Sequence, residues 1–125
     1  MRSRTCLLVS EDPDDQLEFS EALNEISSDT ILIIVVHAEK AMELLIKKLH
    51  VPDFIFFDLN VNGIQPDVFF SALQNDPALK RIPLVVYGDY SQYDQVKTKG
   101  ISTFLNRECT YSDLRKFLEK IVKGQ

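Results

Sequence analysis

The sequence predicts a doubly wound α/β domain: a five-stranded parallel sheet with helices on both faces. Three observations predict it. Short apolar runs alternate with segments of helical period along all 125 residues. Each run is separated from the next by about one helix, the connection that a right-handed parallel crossover needs. Two of the runs also end in acid: Cys6-Leu7-Leu8-Val9 leads to Glu11, Asp12, Asp14 and Asp15, and Phe54-Ile55-Phe56-Phe57 leads to Asp58. In an open parallel sheet the carboxyl ends of these strands share one edge, where ligand sites form. Carboxylates meeting there repel one another unless a hard cation such as Mg²⁺ sits between them.

Taken in order, residues 5–10 read as a buried strand because four apolar residues precede an acidic turn. Pro13 suits the first turn of a helix, with Asp12 as its N-cap and Asp14 and Asp15 complementing the dipole. Leu17, Phe19, Ala22, Leu23 and Ile26 supply its apolar stripe. Residues 30–36, Thr-Ile-Leu-Ile-Ile-Val-Val, are continuous and β-branched, which predicts a central strand covered on both faces. The next helix turns Ala38, Ala41, Leu44, Leu45 and Leu49 inward. Pro52 breaks the chain before the third strand at 53–57, and Asn62-Gly63 and Pro66 mark the loop after it. A helix over 68–73 follows, then a connection bracketed by Pro77 and Pro83. The fourth strand, 84–87, is stopped by Gly88, and a polar, weak helix over 91–99 ends at Gly100. Residues 101–105 form a shorter, partly polar strand, expected near an edge. Tyr111, Leu114, Phe117, Leu118 and Ile121 lie at helical spacing in the closing segment, 110–122.

Composition narrows the function. Hydrophobic residues at 45% and charged residues at 26% are ordinary for a globular chain, and the length fits a single domain over 1–125. A formal charge of −5 argues against a general nucleic-acid binder. Cys6 and Cys109 have no metal-ligand spacing and fit a reduced, cytoplasmic protein. The apolar run after the basic start, Met1-Arg2-Ser3-Arg4, is too short for a signal peptide, and no run approaches the ~20 residues of a membrane span. His37 and His50 have no spaced partner ligand, and Lys116, Lys120 and Lys123 read as a solvated face. Tyr87, Tyr90 and Tyr93 cluster near the fourth strand as a candidate contact surface.

The strand-end residues are Ser10-Glu11-Asp12, Asp58, Gly88 and Arg107. With the segments Leu7-Leu8-Val9-Ser10-Glu11-Asp12-Pro13-Asp14-Asp15 and Pro52-Asp53-Phe54-Ile55-Phe56-Phe57-Asp58-Leu59-Asn60, the chain resembles a receiver domain of two-component response regulators. Asn62-Gly63, Pro83 and the stretch from Gly100 to Arg107 extend the resemblance over essentially the whole length. It implies a flavodoxin-like, receiver-type fold in which Asp58 accepts a phosphoryl group from a histidine kinase or phosphotransfer protein. It implies Mg²⁺ held by Glu11, Asp58 and the backbone carbonyl of Asn60, with Asp12 as a further candidate ligand. Phosphoryl transfer of this kind rests on positioning and charge neutralisation. Output would come from contact with a downstream protein, without direct nucleic-acid or membrane binding and without catalysis beyond the domain's own phosphorylation and dephosphorylation. The sequence ends soon after the last expected helix, so output is expected through such contact, or the domain is a fragment of a larger chain.

The sequence also departs from that pattern. Ser10 and Glu11 fall where the family has paired acids, so one charge is missing. Gly88 stands in place of a Thr or Ser whose hydroxyl binds the phosphoryl group. Arg107 replaces a lysine, and Glu108 a cis-proline. Phe104 keeps the aromatic that swings inward on activation. These departures define the alternative, a pseudo-receiver that docks partners independently of phosphorylation. Two further classes fit less well. A metal-dependent phosphohydrolase lacks an acid or base at the other strand ends, and a flavodoxin-like cofactor binder would have to seat phosphate on the acidic loop after the first strand.

Overall fold

The structure, a computed structural model, describes residues 4–27, 29–97 and 103–123. Its strands are β1 (Thr5–Val9), β2 (Ile31–Val35), β3 (Phe54–Asp58), β4 (Leu84–Gly88) and β5 (Phe104–Asn106). They form one sheet in the order β2-β1-β3-β4-β5, and every neighbouring pair is parallel. The helices are α1 (Pro13–Ile26), α2 (Ala38–Ile46), α3 (Pro66–Gln74), α4 (Tyr93–Lys97) and α5 (Tyr111–Lys123). Single 3₁₀ turns at Leu79–Arg81 and Tyr90–Gln92 precede β4 and α4. The last part of the predicted weak helix, Gly100 and the start of the predicted fifth strand lie outside the described residues.

Alternation along the strands divides the core in two. Leu7, Val9, Ile55, Phe57 and Val86 face α2, α3 and α4, where Phe57 packs on Phe69 with ring centroids 4.5 Å apart. Cys6, Leu8, Phe54, Phe56, Val85 and Tyr87 face α1 and α5, where Phe19 packs between Phe56 and Tyr87 at 5.4 and 5.2 Å. Burial raises the Cys6 thiol to about 12, reinforced by the Asp53 carboxylate, so it acts as a small apolar side chain.

Four sequence expectations change. β2 is an edge strand, not a central one, and its Ile31 and Ile34 remain 51% and 39% exposed. A continuous β-branched run signals strand, but edge or centre is decided by which neighbours cover it. Leu17 is exposed on α1, because the buried stripe Phe19, Ala22, Leu23 and Ile26 lies on another face of the helix. Leu49 is exposed because α2 ends at Ile46, before the predicted stripe does. Gly88 is the last residue of β4 rather than the residue that stops it. Gly63 does need to be glycine. At φ 111° it turns the loop after β3 so tightly that a Cβ would lie 3.3 Å from the backbone nitrogens of Ala38 and Glu39.

Candidate functional site

Register brings the acidic ends together. Val9 pairs with Phe57, and Asp58 pairs with Tyr87 on β4, so Ser10 and Asp58 lie beside each other at the carboxyl edge. Asp12 caps α1 as predicted, its Oδ1 accepting from the N–H groups of Asp14 at 2.9 Å and Asp15 at 3.4 Å. Gly88 O accepts from the N–H of Arg107 at 2.8 Å, which fixes the start of the β5–α5 loop against β4. From there the Arg107 side chain reaches back across the edge.

Its guanidinium bridges two carboxylates. One terminal nitrogen pairs with Asp15 and lies 3.8 Å from Asp12, and the other pairs with Asp58. The group also sits over the Tyr87 ring, its Cζ 5.0 Å from the centroid, a cation–π arrangement. The planar fork makes the double pairing; a lysine ammonium is a point charge without that geometry.

Asp58 is 2% exposed. Its Oδ1 accepts from the Asn60 N–H at 2.9 Å as well as from Arg107, while Oδ2 faces the Ser10 hydroxyl at 3.5 Å. Burial pushes its pKa above the ordinary carboxylate value, against the pull of the Asn60 N–H and Arg107. Asp15 is raised for the same first reason, with Arg107 opposing. Desolvation acts to lower the Arg107 pKa but is outweighed by Asp58 and Asp15, so the guanidinium stays charged.

The other predicted site residues are arranged as follows. Glu11 accepts from the Asn62 N–H at 3.2 Å, tying the loop after β1 to the loop after β3. The Asn60 side-chain oxygen accepts from Gln92 Nε2 at 3.4 Å, and Gln92 Oε1 accepts from the Asp89 N–H at 2.8 Å. Gly88 is buried, and a Cβ there would meet Gln92 Oε1 at 2.6 Å and Leu59 Cδ1 at 3.0 Å. A hydroxyl residue there would require the Gln92 and Leu59 side chains to shift. Phe104 is half-buried against Tyr93, with centroids 5.3 Å apart. Tyr93 in turn stacks on the exposed Tyr90 at 5.9 Å and an interplanar angle of 5°. Tyr87 does not join that pair, because it faces the α1–α5 side of the sheet.

Solved structures of the same architecture are response regulators and receiver domains. The phosphorylated cyanobacterial phytochrome response regulator RcpA superposes with a TM-score of 0.81 at 22% identity, covering 97% of this chain and 92% of its own. The Mn²⁺-bound response regulator Rcp1 gives 0.77 at 26%, covering 94% and 91%. The receiver domain of the sensor histidine kinase PA1611 from Pseudomonas aeruginosa, with magnesium in its active-site cleft, gives 0.78 at 14%, covering 97% and 98%. This chain has the receiver fold. No family model and no curated protein matches it.

The donors of this receiver fold do not fit a divalent cation such as the latter two structures bind. Asp58 and Asp15 are paired to Arg107, Glu11 is turned to Asn62, Asp12 is committed to the α1 cap, and Ser10 brings no charge. Among the described residues, no group of three or more His, Cys, Asp or Glu is arranged to hold a metal ion. The sequence places Asp15 in the acidic cluster after the first strand and on the helix dipole, but gives it no partner in the site. The available signal was its place one turn before the buried Phe19, on the inward face of α1. Gln92, which fills the space above Gly88, gave no signal in the sequence.

Proposed function

We propose that this chain is a receiver-fold signalling module that acts through protein–protein contact, with its acidic pocket held by Arg107 independently of phosphorylation. The observation that carries this reading is the simultaneous pairing of Arg107 with Asp58 and Asp15. A phospho-acceptor needs a free carboxylate oxygen directed at the donor, with the developing charge on the phosphoryl oxygens neutralised. Here Asp58 Oδ1 carries two donors, the carboxylate is nearly inaccessible, and the β4 end offers a glycine, without a hydroxyl, against which Gln92 and Leu59 pack. The downstream target is a protein. No helix among the described residues is long and apolar enough to cross a membrane.

A second reading, transfer of a phosphoryl group from a histidine kinase to Asp58, is favoured by the position of that carboxylate at the carboxyl end of β3, beside β1 and β4. For it to operate, Arg107 has to leave Asp58. Intact-mass spectrometry after incubation with acetyl phosphate and Mg²⁺ separates the two, using wild type and Asp58→Asn. The expected result is no adduct on either protein. A labile gain of one phosphoryl group on wild type alone would establish Asp58 as an acceptor and overturn the docking reading.

A further inference from the structure

We propose that the Arg107 guanidinium is the resident cation of this pocket, neutralising the buried carboxylates of Asp58 on β3 and Asp15 on α1 that would otherwise call for a divalent ion. This inference rests on the arginine-held pocket described above, but not on whether Asp58 is ever phosphorylated.

Three features converge on it. First, a single guanidinium reaches Asp58 on β3 and Asp15 on α1, and lies 3.8 Å from Asp12. It therefore neutralises Asp58, the carboxylate at the centre of the expected ion site, together with Asp15, and it does so through a covalent tether to the end of β5. Second, the buried position after β1 adds no further negative charge to the pocket. Ser10 is uncharged and fully buried, and its hydroxyl accepts from the Asp12 N–H at 3.2 Å while facing Asp58. An aspartate there would add a charge that one guanidinium is poorly placed to neutralise. Third, the guanidinium is seated rather than draped over the surface. Its Cζ lies over the Tyr87 ring, its side chain is 19% exposed, and its backbone N–H is anchored on Gly88 O. Weak hydration makes a guanidinium better suited than an ammonium to such a half-buried, aromatic seat.

The consequence concerns metal dependence. In wild type a divalent cation has to displace a tethered competitor whose effective concentration is high, so Mg²⁺ adds nothing to the folded state. Without Arg107, Asp15 and Asp58 remain close enough to have shared one guanidinium, and a hard cation is the remaining way to neutralise them. Thermal unfolding tests this with wild type, Arg107→Ala and Arg107→Ala/Asp58→Asn, each in EDTA, in Mg²⁺ and in NaCl of matched ionic strength. Wild type is expected to show no saturable rise in Tm with Mg²⁺. Arg107→Ala is expected to start lower and rise by several degrees, a gain lost in the double variant. A saturable rise in wild type, or a folded Arg107→Ala that gains nothing, overturns the proposal. If Arg107→Ala does not fold, Mn²⁺ line broadening in the NMR spectrum of wild type decides. Unselective broadening supports the arginine seat, and selective loss of the Glu11, Asp58 and Asn60 amides refutes it. The separate failure of the docking reading would appear as phosphorylation of Asp58 in the mass assay, whatever the metal response.

Discussion

Replacing Arg107 with methionine keeps an unbranched stem over Tyr87 and removes the charge. Asp58, with a side chain 3% exposed, then holds a carboxylate with no cation beside it. Removing one partner of a buried pair costs about 3–5 kcal/mol, because the remaining charge stays desolvated. The side chains of Arg107 and Asp15 are 19% and 18% exposed, so water relieves part of that penalty. The lower end applies, about 3 kcal/mol, or a fall in Tm on the order of 10 °C for a domain of this size. Urea denaturation of wild type, Arg107→Met, Asp58→Asn and the double variant gives the loss and the coupling together. The coupling between Arg107 and Asp58 is expected at about 1–3 kcal/mol, with the double variant recovering part of the single loss. Solvent-exposed ion pairs behave differently, with couplings of about 0.2–1 kcal/mol that salt screens. A loss below about 0.5 kcal/mol for Arg107→Met, or additive losses in the double variant, would refute the buried bridge.

Other expectations follow from the same geometry. Gly88→Thr, which restores the absent hydroxyl, pushes on Gln92 Oε1 and Leu59 Cδ1, both ends of adaptable side chains. It is expected to cost about 1–2 kcal/mol by urea denaturation and to bring no phosphorylation in the mass assay. The raised pKa values of Asp58 and Asp15 mean that the folded protein binds more protons than the unfolded chain just above the ordinary carboxylate range. Stability therefore falls as pH rises from about 4 through the raised values, and Asp58→Asn flattens that slope in denaturation series at stepped pH. Asp12→Ala removes the α1 cap and is expected to cost about 1 kcal/mol, read from the same denaturation midpoint.

Much of this architecture was legible in the sequence because strand alternation and helix punctuation are local. The acid-terminated runs at residues 6–9 and 54–57, the Asp12–Pro13 helix start and the Asn62-Gly63 turn each announce their structure within a few residues. The edge position of β2 was not legible, because its β-branched run fits either a central or an edge strand until its neighbours are known. The site was legible as a set of strand ends, and Asp58 and Arg107 do meet there. Its electrostatics were not. The sequence places Arg107 in a loop after β5, and only the register of β5 on β4, with Gly88 beside Asn106, directs its side chain to Asp58 and Asp15. Gln92 illustrates the same limit. A polar side chain 3.4 Å from Asn60 and against Gly88 is a product of the turn before α4, which no local pattern encodes.

The most direct measurement of the central claim is the NMR spectrum of the Arg107 guanidinium itself. A guanidinium held by two carboxylates rotates slowly about its Cζ–Nη bonds and gives resolved Nη proton signals. Those signals are expected in wild type, assigned by their absence in Arg107→Lys, unchanged by Mg²⁺ and lost in Asp58→Asn. A rotationally averaged signal, as from an arginine free in solvent, or one that collapses when Mg²⁺ is added, would contradict the arginine-held pocket.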